Sequence, residues 1–411
     1  MRNNRGDLMI LLLGYGISNK SVEKYLIKKG IAYRIFDGFK DEIKEEFLDD
    51  ISIIIRSPGI SLSHPLLMLA KLKDIEVISE VEFTYRINNK GKLICLTGSN
   101  GKTSTLNYTY QILKHYYKEV ILVGNNGVPY SSYIDKINDD TIVLLELSNF
   151  QLENTYSLKP FISCITNISE NHLDKVANIN EYIKSKLKIL NNSKKTILNK
   201  DDSILKKNIS DNTVSISKRK NKNYYYKNNK IYYGNDYLGM INNYNIVGEH
   251  NILNLLFAIS ICYELGLSYE QILSIIKHIT GVKYRLEFLK ELNNVLIYND
   301  GKSTTPYSCE VAIKAFKDKR IHMIVGGRNK NLDFSFLKKY ENVMFYAYGE
   351  AKDELSKCLG AKKYNSFKEA YKQIDAKKGE IIIYSPGCTS FDQFKDYVER
   401  SKAFEDFILS M

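Results

Sequence analysis

Thr97-Gly98-Ser99-Asn100-Gly101-Lys102-Thr103 is the part of this sequence whose residue types and spacing most plainly suit chemistry. It follows the apolar run GKLICLTG and opens the helical pattern KTSTLNYTYQILKHYY. Glycines let backbone N–H groups curl around phosphate oxygens, and a helix N-terminus adds partial positive charge. Lys102 is placed to reach the β/γ phosphates of a nucleotide, and the Thr103 hydroxyl to ligate Mg2+. The strict motif has Gly at position 96, where Leu96 stands, so the loop is a variant. The bland alternative is a strand-to-helix turn with no ligand. Such a loop says that ATP is held; it does not say what is phosphorylated.

Glu146, in IVLLELSNFQLE, and His172, in TNISENHLDK, each follow a hydrophobic strand pattern. Ligands of open parallel sheets sit beyond the carboxyl ends of the strands, so both residues are expected to converge on the phosphate loop. A carboxylate and an imidazole there suit Mg2+ or Mn2+, although Mg2+ favours all-oxygen ligands. Taken alone, His172 reads equally as a structural or solvated histidine. Near the start, Gly14-Tyr15-Gly16-Ile17-Ser18, with Asp37 downstream, mimics a dinucleotide fingerprint. The third glycine is missing, because position 19 is Asn19.

The elements that must position these residues alternate as strand, helix, strand. Over 1–90, LMILLLGYG reads as a buried strand into a turn, NKSVEKYLIKKG as a helix with a glycine stop, and AYRIFD and ISIIIRSPGI as further strands. Over 91–281, the strands GKLICLTG, TIVLLEL, FISCITNI and KTILNK are followed by a Tyr-rich stretch, NYYYK and KIYYG, expected to form a small antiparallel flap. A helix is expected from near Asn251. Over 282–411, NVLIYND, RIHMIVGG, NVMFYAYG and EIIIYSPG read as strands, CEVAIKAFK as a helix, and FDQFKDYVERSKAFEDFIL as a closing amphipathic helix. Such alternation implies parallel sheets with right-handed crossovers.

The chain has 411 residues, which at roughly 100–200 residues per domain means two or three domains. Its 44% hydrophobic content excludes wholesale disorder. No apolar run reaches the roughly 18 residues of a membrane span. The six cysteines are scattered without a CxxC pair, which argues against a structural zinc site and a secreted disulfide framework, so a cytoplasmic protein is expected. With 59 Lys+Arg against 47 Asp+Glu the formal charge is +12. Much of the excess lies in 218–230, a run that reads as a solvated hairpin surface and not as a nucleic-acid site.

Taken together, TGSNGKT, ELSNFQLE, TNISENHLD, Tyr182 with Lys186, GEHNILN, YRLE, NDGKSTT, GGRNKNLDF and SPGCTSFDQF stand in the order seen in the Mur ligases, and the match runs over nearly the whole chain. ELSNFQLE, NDGKSTT and SPGCTSFDQFKDY resemble the branch that adds D-glutamate to UDP-N-acetylmuramoyl-L-alanine. The resemblance implies an α/β protein of three domains: a Rossmann-like UDP-binding domain (1–90), a central P-loop ATPase-type domain (91–281) and a C-terminal Rossmann-like domain that brings the amino acid (282–411). It implies an ATP-dependent amide ligase working through an acyl phosphate, with two Mg2+ ions (or Mn2+). No membrane or nucleic-acid partner is expected, and the protein is expected to be a monomer.

The resemblance also assigns residues. Gly98, Ser99, Asn100, Gly101, Lys102 and Thr103 would hold the ATP phosphates, Asn251 and Asn254 the adenine, and Arg285 and Asp300 the phosphates and ribose. Thr103, Glu146, His172 and Lys186 would hold metal, Lys186 as a carbamate; Lys102, Lys186, His172 and Glu146 form the catalytic set. Ile17, Ser18, Asp37, Ser57, Asn125 and Ser148 would contact the UDP-linked substrate. Lys302, Thr304, Lys330, Ser390, Phe391 and Tyr397 would form the D-glutamate site, where a cation such as Lys330 offsets the second carboxylate. Read from residues alone, Lys186 in EYIKSKLKIL is a solvated lysine on a basic helix, and Asn251 a helix cap.

The chain departs from the family pattern at Asn171 (commonly Asp), Asn149 and Gly301 (commonly Ser) and Phe39 (often basic). Other readings are a sister Mur-type or folylpolyglutamate-type ligase with another amino acid, an NAD(P)-dependent oxidoreductase built on GYGIS and Asp37, and a non-catalytic nucleotide scaffold. The oxidoreductase leaves the phosphate loop and both metal-side residues idle, and against the scaffold every expected catalytic position except Asn171 is occupied.

Overall fold

A computed structural model describes residues 9–37, 45–168, 179–220, 222–241, 243 and 245–411. The chain divides into two compact units, residues 1–239 with 254–272, and residues 240–253 with 273–411.

The first unit carries two sheets. The smaller is formed by β1 (Ile10–Leu13), β2 (Tyr33–Phe36), β3 (Ile53–Arg56) and β4 (Glu76–Ser79), all parallel, in the order β2-β1-β3-β4. Its central strand ILLL is buried on both faces, which is why it reads as a continuous apolar run and not an alternating one. The Ile17–Lys29 helix follows β1 and stops at Gly30, whose N–H returns to the carbonyls of Leu26 and Ile27.

The larger sheet has β5 (Lys92–Thr97), β6 (Val120–Gly124), β7 (Ile142–Glu146), β8 (Ile162–Ile165), β9 (Lys195–Asn199), β10 (Thr213–Ser217), β11 (Tyr224–Lys227), β12 (Lys230–Tyr233) and β13 (Asp236–Met240), in the order β13-β12-β11-β10-β9-β8-β5-β7-β6. From β6 across to β11 all pairings are parallel. The chain leaves β5 on one side for β6 and β7 and returns on its other side for β8. Strand order therefore reverses at β5, whose carboxyl end carries the phosphate loop, where an open α/β sheet binds its ligand. The Tyr-rich flap is a correction. β11 and β12 are antiparallel as expected, but β11 also pairs parallel with β10, so the hairpin extends the central sheet. Stacked Tyr225 and Tyr232, with ring centroids 5.0 Å apart, fix that hairpin's register.

The second unit carries one sheet: β14 (Glu287–Leu292), β15 (Val295–Asn299), β16 (Ile321–Gly326), β17 (Val343–Tyr348), β18 (Lys362–Tyr364) and β19 (Ile381–Gly387), in the order β14-β15-β19-β16-β17-β18. Only β14 runs antiparallel, joined to β15 through Asn293 and Asn294, both with positive φ, as a tight primed turn demands. The closing helix spans Tyr397–Leu409, six residues shorter at its start than the sequence pattern suggests. Asp396 accepts the N–H groups of Val398 and Glu399 and starts the helix there, so Phe391 and the residues after it stay in a turn. Among the described residues no helix is long and apolar enough to cross a membrane.

Candidate active site

The phosphate loop is held open by its neighbours. Gly101 caps the Lys102–Leu113 helix at φ 84°, and a Cβ on it would lie 2.3 Å from Asn254 Oδ1. A Cβ on Gly98 would lie 2.0 Å from Thr166 Oγ1. Asn100 between them is gripped by the TN of TNISENHLD. Its N–H donates to Asn167 Oδ1 at 3.0 Å, and its carbonyl accepts from Thr166 Oγ1 at 2.6 Å and Asn167 Nδ2 at 3.0 Å. Asn167 is a contributor that sequence reasoning did not single out, although it lies inside a motif. Leu96, at the position of the missing motif glycine, is fully buried in β5 and belongs to the core.

Lys102 and Lys186 converge on one carbonyl. Lys102 Nζ donates to Gly98 O at 2.8 Å and to Ser99 O at 3.1 Å. Lys186 Nζ donates to Gly98 O at 3.1 Å and sits 4.7 Å from the centre of the Tyr182 ring, one helical turn back. The Tyr182 hydroxyl in turn pairs with Ser99 Oγ at 2.9 Å. Lys186 is 2% exposed, which overturns the solvated-helix reading of this residue. Burial, aided by the Lys102 charge, pulls its amine down to about 7. Its neighbour Lys188 is half-buried and donates to the carbonyls of Leu152 and Glu153.

Glu146 ends β7 in register with Leu96, one residue before the loop. Its Oε1 accepts from Asn125 Nδ2 at 3.3 Å, while Oε2 is buried and meets no hydrogen-bond partner among the described residues. A buried, unpartnered carboxylate oxygen on the strand beside a phosphate loop is a donor fit for a hard dication. Among the described residues no group of three or more His, Cys, Asp or Glu side chains gathers. His172 and Asn171 lie outside the described residues, as does Phe39. Ser148 caps the Asn149–Glu153 helix in a reciprocal capping box with Gln151.

In the smaller sheet of this unit, Gly14 and Gly16 pack under Ser57 and Ile60. Asp37 follows β2 directly beside them, since the Gly14 N–H donates to Phe36 O at 2.7 Å. Asn19 explains the broken fingerprint. Its buried amide donates to the carbonyls of Leu13, Gly14 and Ile55, fastening β1, the turn and β3 with one side chain. Ile17 is exposed in the first turn of its helix, with Ser18 half-buried after it.

In the second unit, Tyr284 and Leu286 flank Arg285 in left-handed backbone, at φ 64° and 45°. For a leucine this is strained by about 1–3 kcal/mol, and the surroundings must hold it. Asp300 does so, accepting the Leu286 N–H at 3.1 Å through Oδ1 and the Ser385 hydroxyl at 2.8 Å through Oδ2. Burial pushes the Asp300 carboxyl up to about 7, against those hydrogen bonds and the Arg285 charge. Lys302 Nζ lies 5.3 Å from the centre of the Tyr397 ring. Arg328 and Thr389 exchange backbone hydrogen bonds, which sets the loop of exposed Lys330 alongside buried Ser390. The Gly387 N–H donates to Ser303 O, bringing Lys302 and Thr304 to the same edge; Phe391 there is exposed. Asn251 lies inside the helix that begins at Glu249, so it is not the cap; its Nδ2 donates back to Val247 O, ahead of the helix, at 3.0 Å.

Arg400 is a residue the sequence reading missed. It is fully buried, and its Nη2 donates to Gly301 O at 3.2 Å. Gly301, where the family commonly has Ser, is explained by space: a Cβ there would lie 2.0 Å from Ser401 Oγ and 2.8 Å from Ser401 Cβ. Ser401 Oγ is itself tied to Tyr397 O at 2.6 Å and does not yield easily. We expect Gly301→Ser to cost about 2 kcal/mol of stability. The double variant with Ser401→Gly should be more stable than the sum of the two single changes, as read from thermal unfolding.

Comparison with known proteins identifies the family of the chain. Residues 96–262 match the Mur ligase middle domain. The chain is 33% identical to UDP-N-acetylmuramoylalanine–D-glutamate ligase of Caldicellulosiruptor bescii, covering 96% of this chain and 91% of the relative. It is 34% identical to the enzyme of that name from Aquifex aeolicus, covering 98% of both. The crystal structure of MurF ligase from Thermotoga maritima in complex with ADP superposes with a TM-score of 0.60 at 16% identity, over 100% of this chain and 97% of that one, a likeness of fold. The chain belongs to the Mur ligase family, among the UDP-N-acetylmuramoylalanine–D-glutamate ligases.

Proposed function

We propose that this protein is an ATP-dependent amide ligase that joins D-glutamate to UDP-N-acetylmuramoyl-L-alanine, a step in building peptidoglycan precursors. The observation that carries the reading is the Gly98–Thr103 loop at the carboxyl end of β5, with Glu146 and the buried Lys186 at its side. We place the work in the cytoplasm, done by a monomer, with 1–90, 91–281 and 282–411 as its three domains.

The alanyl carboxylate attacks the γ-phosphorus of ATP, and ADP departs, leaving an acyl phosphate. The D-glutamate amine then attacks the acyl carbon; phosphate departs and the nitrogen gives up a proton. A free carboxylate is a poor acyl donor, and phosphorylation supplies the leaving group. Little covalent chemistry falls to the protein, whose task is to position groups and offset charge.

In this reading the loop N–H groups and Lys102 hold the phosphates, Lys102 exchanging the carbonyls of Gly98 and Ser99 for phosphate oxygens. Asn254 and Asn251 face adenine. Arg285, held by its strained flanks and by Asp300, offsets phosphate charge. Ile17, Ser18, Asp37, Ser57, Asn125 and Ser148 align the nucleotide-sugar substrate. Lys302, Thr304, Lys330, Ser390, Phe391 and Tyr397 take D-glutamate. Thr103, Glu146, His172 and Lys186, the last as a carbamate, would hold Mg2+, which when bound neutralises charge on the phosphoryl oxygens. Burial shifts Lys186 toward its neutral amine, the form that captures CO2.

Incubation with UDP-N-acetylmuramoyl-L-alanine, ATP, Mg2+ and a panel of amino acids should yield a product of the mass expected for D-glutamate alone. Product with another amino acid and none with D-glutamate contradicts the assignment. Lys102→Ala should cut ADP release by about a hundredfold or more. With ¹³C-bicarbonate, the wild type should show a carbamate carbonyl resonance that Lys186→Arg lacks; its absence from the wild type removes the carbamate.

A further inference from the structure

We infer that Arg56 is a positioning residue for the nucleotide-sugar substrate, setting the distance between its uridine end and its reactive acyl end. The inference rests on the substrate proposed above. Arg56 is the last residue of β3, directly before Ser57. Its side chain is 1% exposed and makes three directional bonds. Nη1 donates to Ile60 O at 2.7 Å; Nη2 donates to Phe150 O at 2.6 Å and to Glu153 Oε2 at 2.7 Å. One planar group thus grips the Ser57–Ile60 turn, which covers Gly14 and Gly16, and also the helix that Ser148 caps just after Glu146. The first set of residues faces the uridine diphosphate in our reading, and the second faces the acyl end.

A buried cation is a costly way to fill space, since an apolar side chain of similar volume packs as well or better. What it supplies beyond packing is geometry: a guanidinium fork fixes two segments relative to each other. It is not needed merely to hold the two sheets together. Glu82 Oε2 already accepts the N–H groups of Tyr156 and Ser157, at 2.8 and 3.0 Å, and buried Glu80 accepts the Ser131 N–H. Those clamps engage other segments. The Arg56 bonds lie next to the residues that meet the ligand. Only a ligand touching both segments gains from their fixed spacing, so a ligand confined to the uridine end is indifferent to it.

Titration calorimetry with UDP and with UDP-N-acetylmuramoyl-L-alanine, on wild type, Arg56→Lys and Glu153→Ala, tests this. Glu153→Ala leaves the Arg56–Ile60 contact in place and guards against a fold defect in the arginine variant. We expect both variants to bind UDP within about twofold of wild type and the full substrate about tenfold more weakly, about 1.4 kcal/mol. The KM for that substrate should rise by a similar factor while the KM for D-glutamate stays put, and Glu153→Gln, which keeps an acceptor, should recover part of the loss. Equal loss for both ligands, or loss for neither, overturns the inference. So does a wild type that binds UDP as tightly as the full substrate. A wild type that binds the full substrate but forms no D-glutamyl product overturns the proposed reaction instead, while the affinity ratio still judges Arg56.

Discussion

Two lysines share one backbone oxygen in the phosphate loop of this protein. The Gly98 carbonyl accepts from both Lys102 and Lys186, and that arrangement exists only because the loop can turn where it does. Any side chain at Gly98 would strike Thr166, and any at Gly101 would strike Asn254. Burial disfavours a charged amine and a like charge nearby adds to that, so the better buried of the two gives way. Lys186 is that one. Two chemically identical side chains are thus set apart: burial first, and the Lys102 charge second, pull the Lys186 amine down to about 7. On the neighbouring strand Glu146 Oε2 is buried without a partner among the described residues, a cost that a dication would remove.

The surrounding polar groups are arranged to keep this loop and the neighbouring turn in place. Thr166 and Asn167 bracket Asn100, Asn19 ties three carbonyls under the first turn, and Arg56, Glu80 and Glu82 reach from one sheet of the unit to segments of the other. Most of these side chains are buried, and their hydrogen bonds go mainly to backbone groups, so they fix chain path and not only composition. In the second unit Asp300 has the same role toward the strained turn that presents Arg285.

Much of this was legible in the sequence. The apolar runs of β1, β5, β7 and β8 stand out because strands of a parallel sheet are buried on both faces. The phosphate loop carried its own chemical signature. What stayed hidden was decided by contacts distant in sequence. Nothing in EYIKSKLKIL distinguishes Lys186 from Lys184 or Lys188; only the resemblance singled it out, and the fold buries it. Nothing in the sequence around Arg56 or Arg400 singles them out; only the packing shows both to be buried. Short edge elements such as β4, β14 and β18 lack a strong apolar pattern, and the closing helix looked longer than it is because the capping by Asp396 breaks an unbroken amphipathic pattern. The Tyr-rich hairpin showed its antiparallel pairing, but not that β10 would draw it into the central sheet.

The most direct test of the central claim is a crystal structure of the protein soaked with ADP. Phosphate oxygens should lie within hydrogen-bond reach of the Gly101, Lys102 and Thr103 N–H groups, with Lys102 Nζ withdrawn from the Gly98 carbonyl and turned to the β-phosphate. Nucleotide density elsewhere, with that turn empty and Lys102 still on Gly98, would contradict the account.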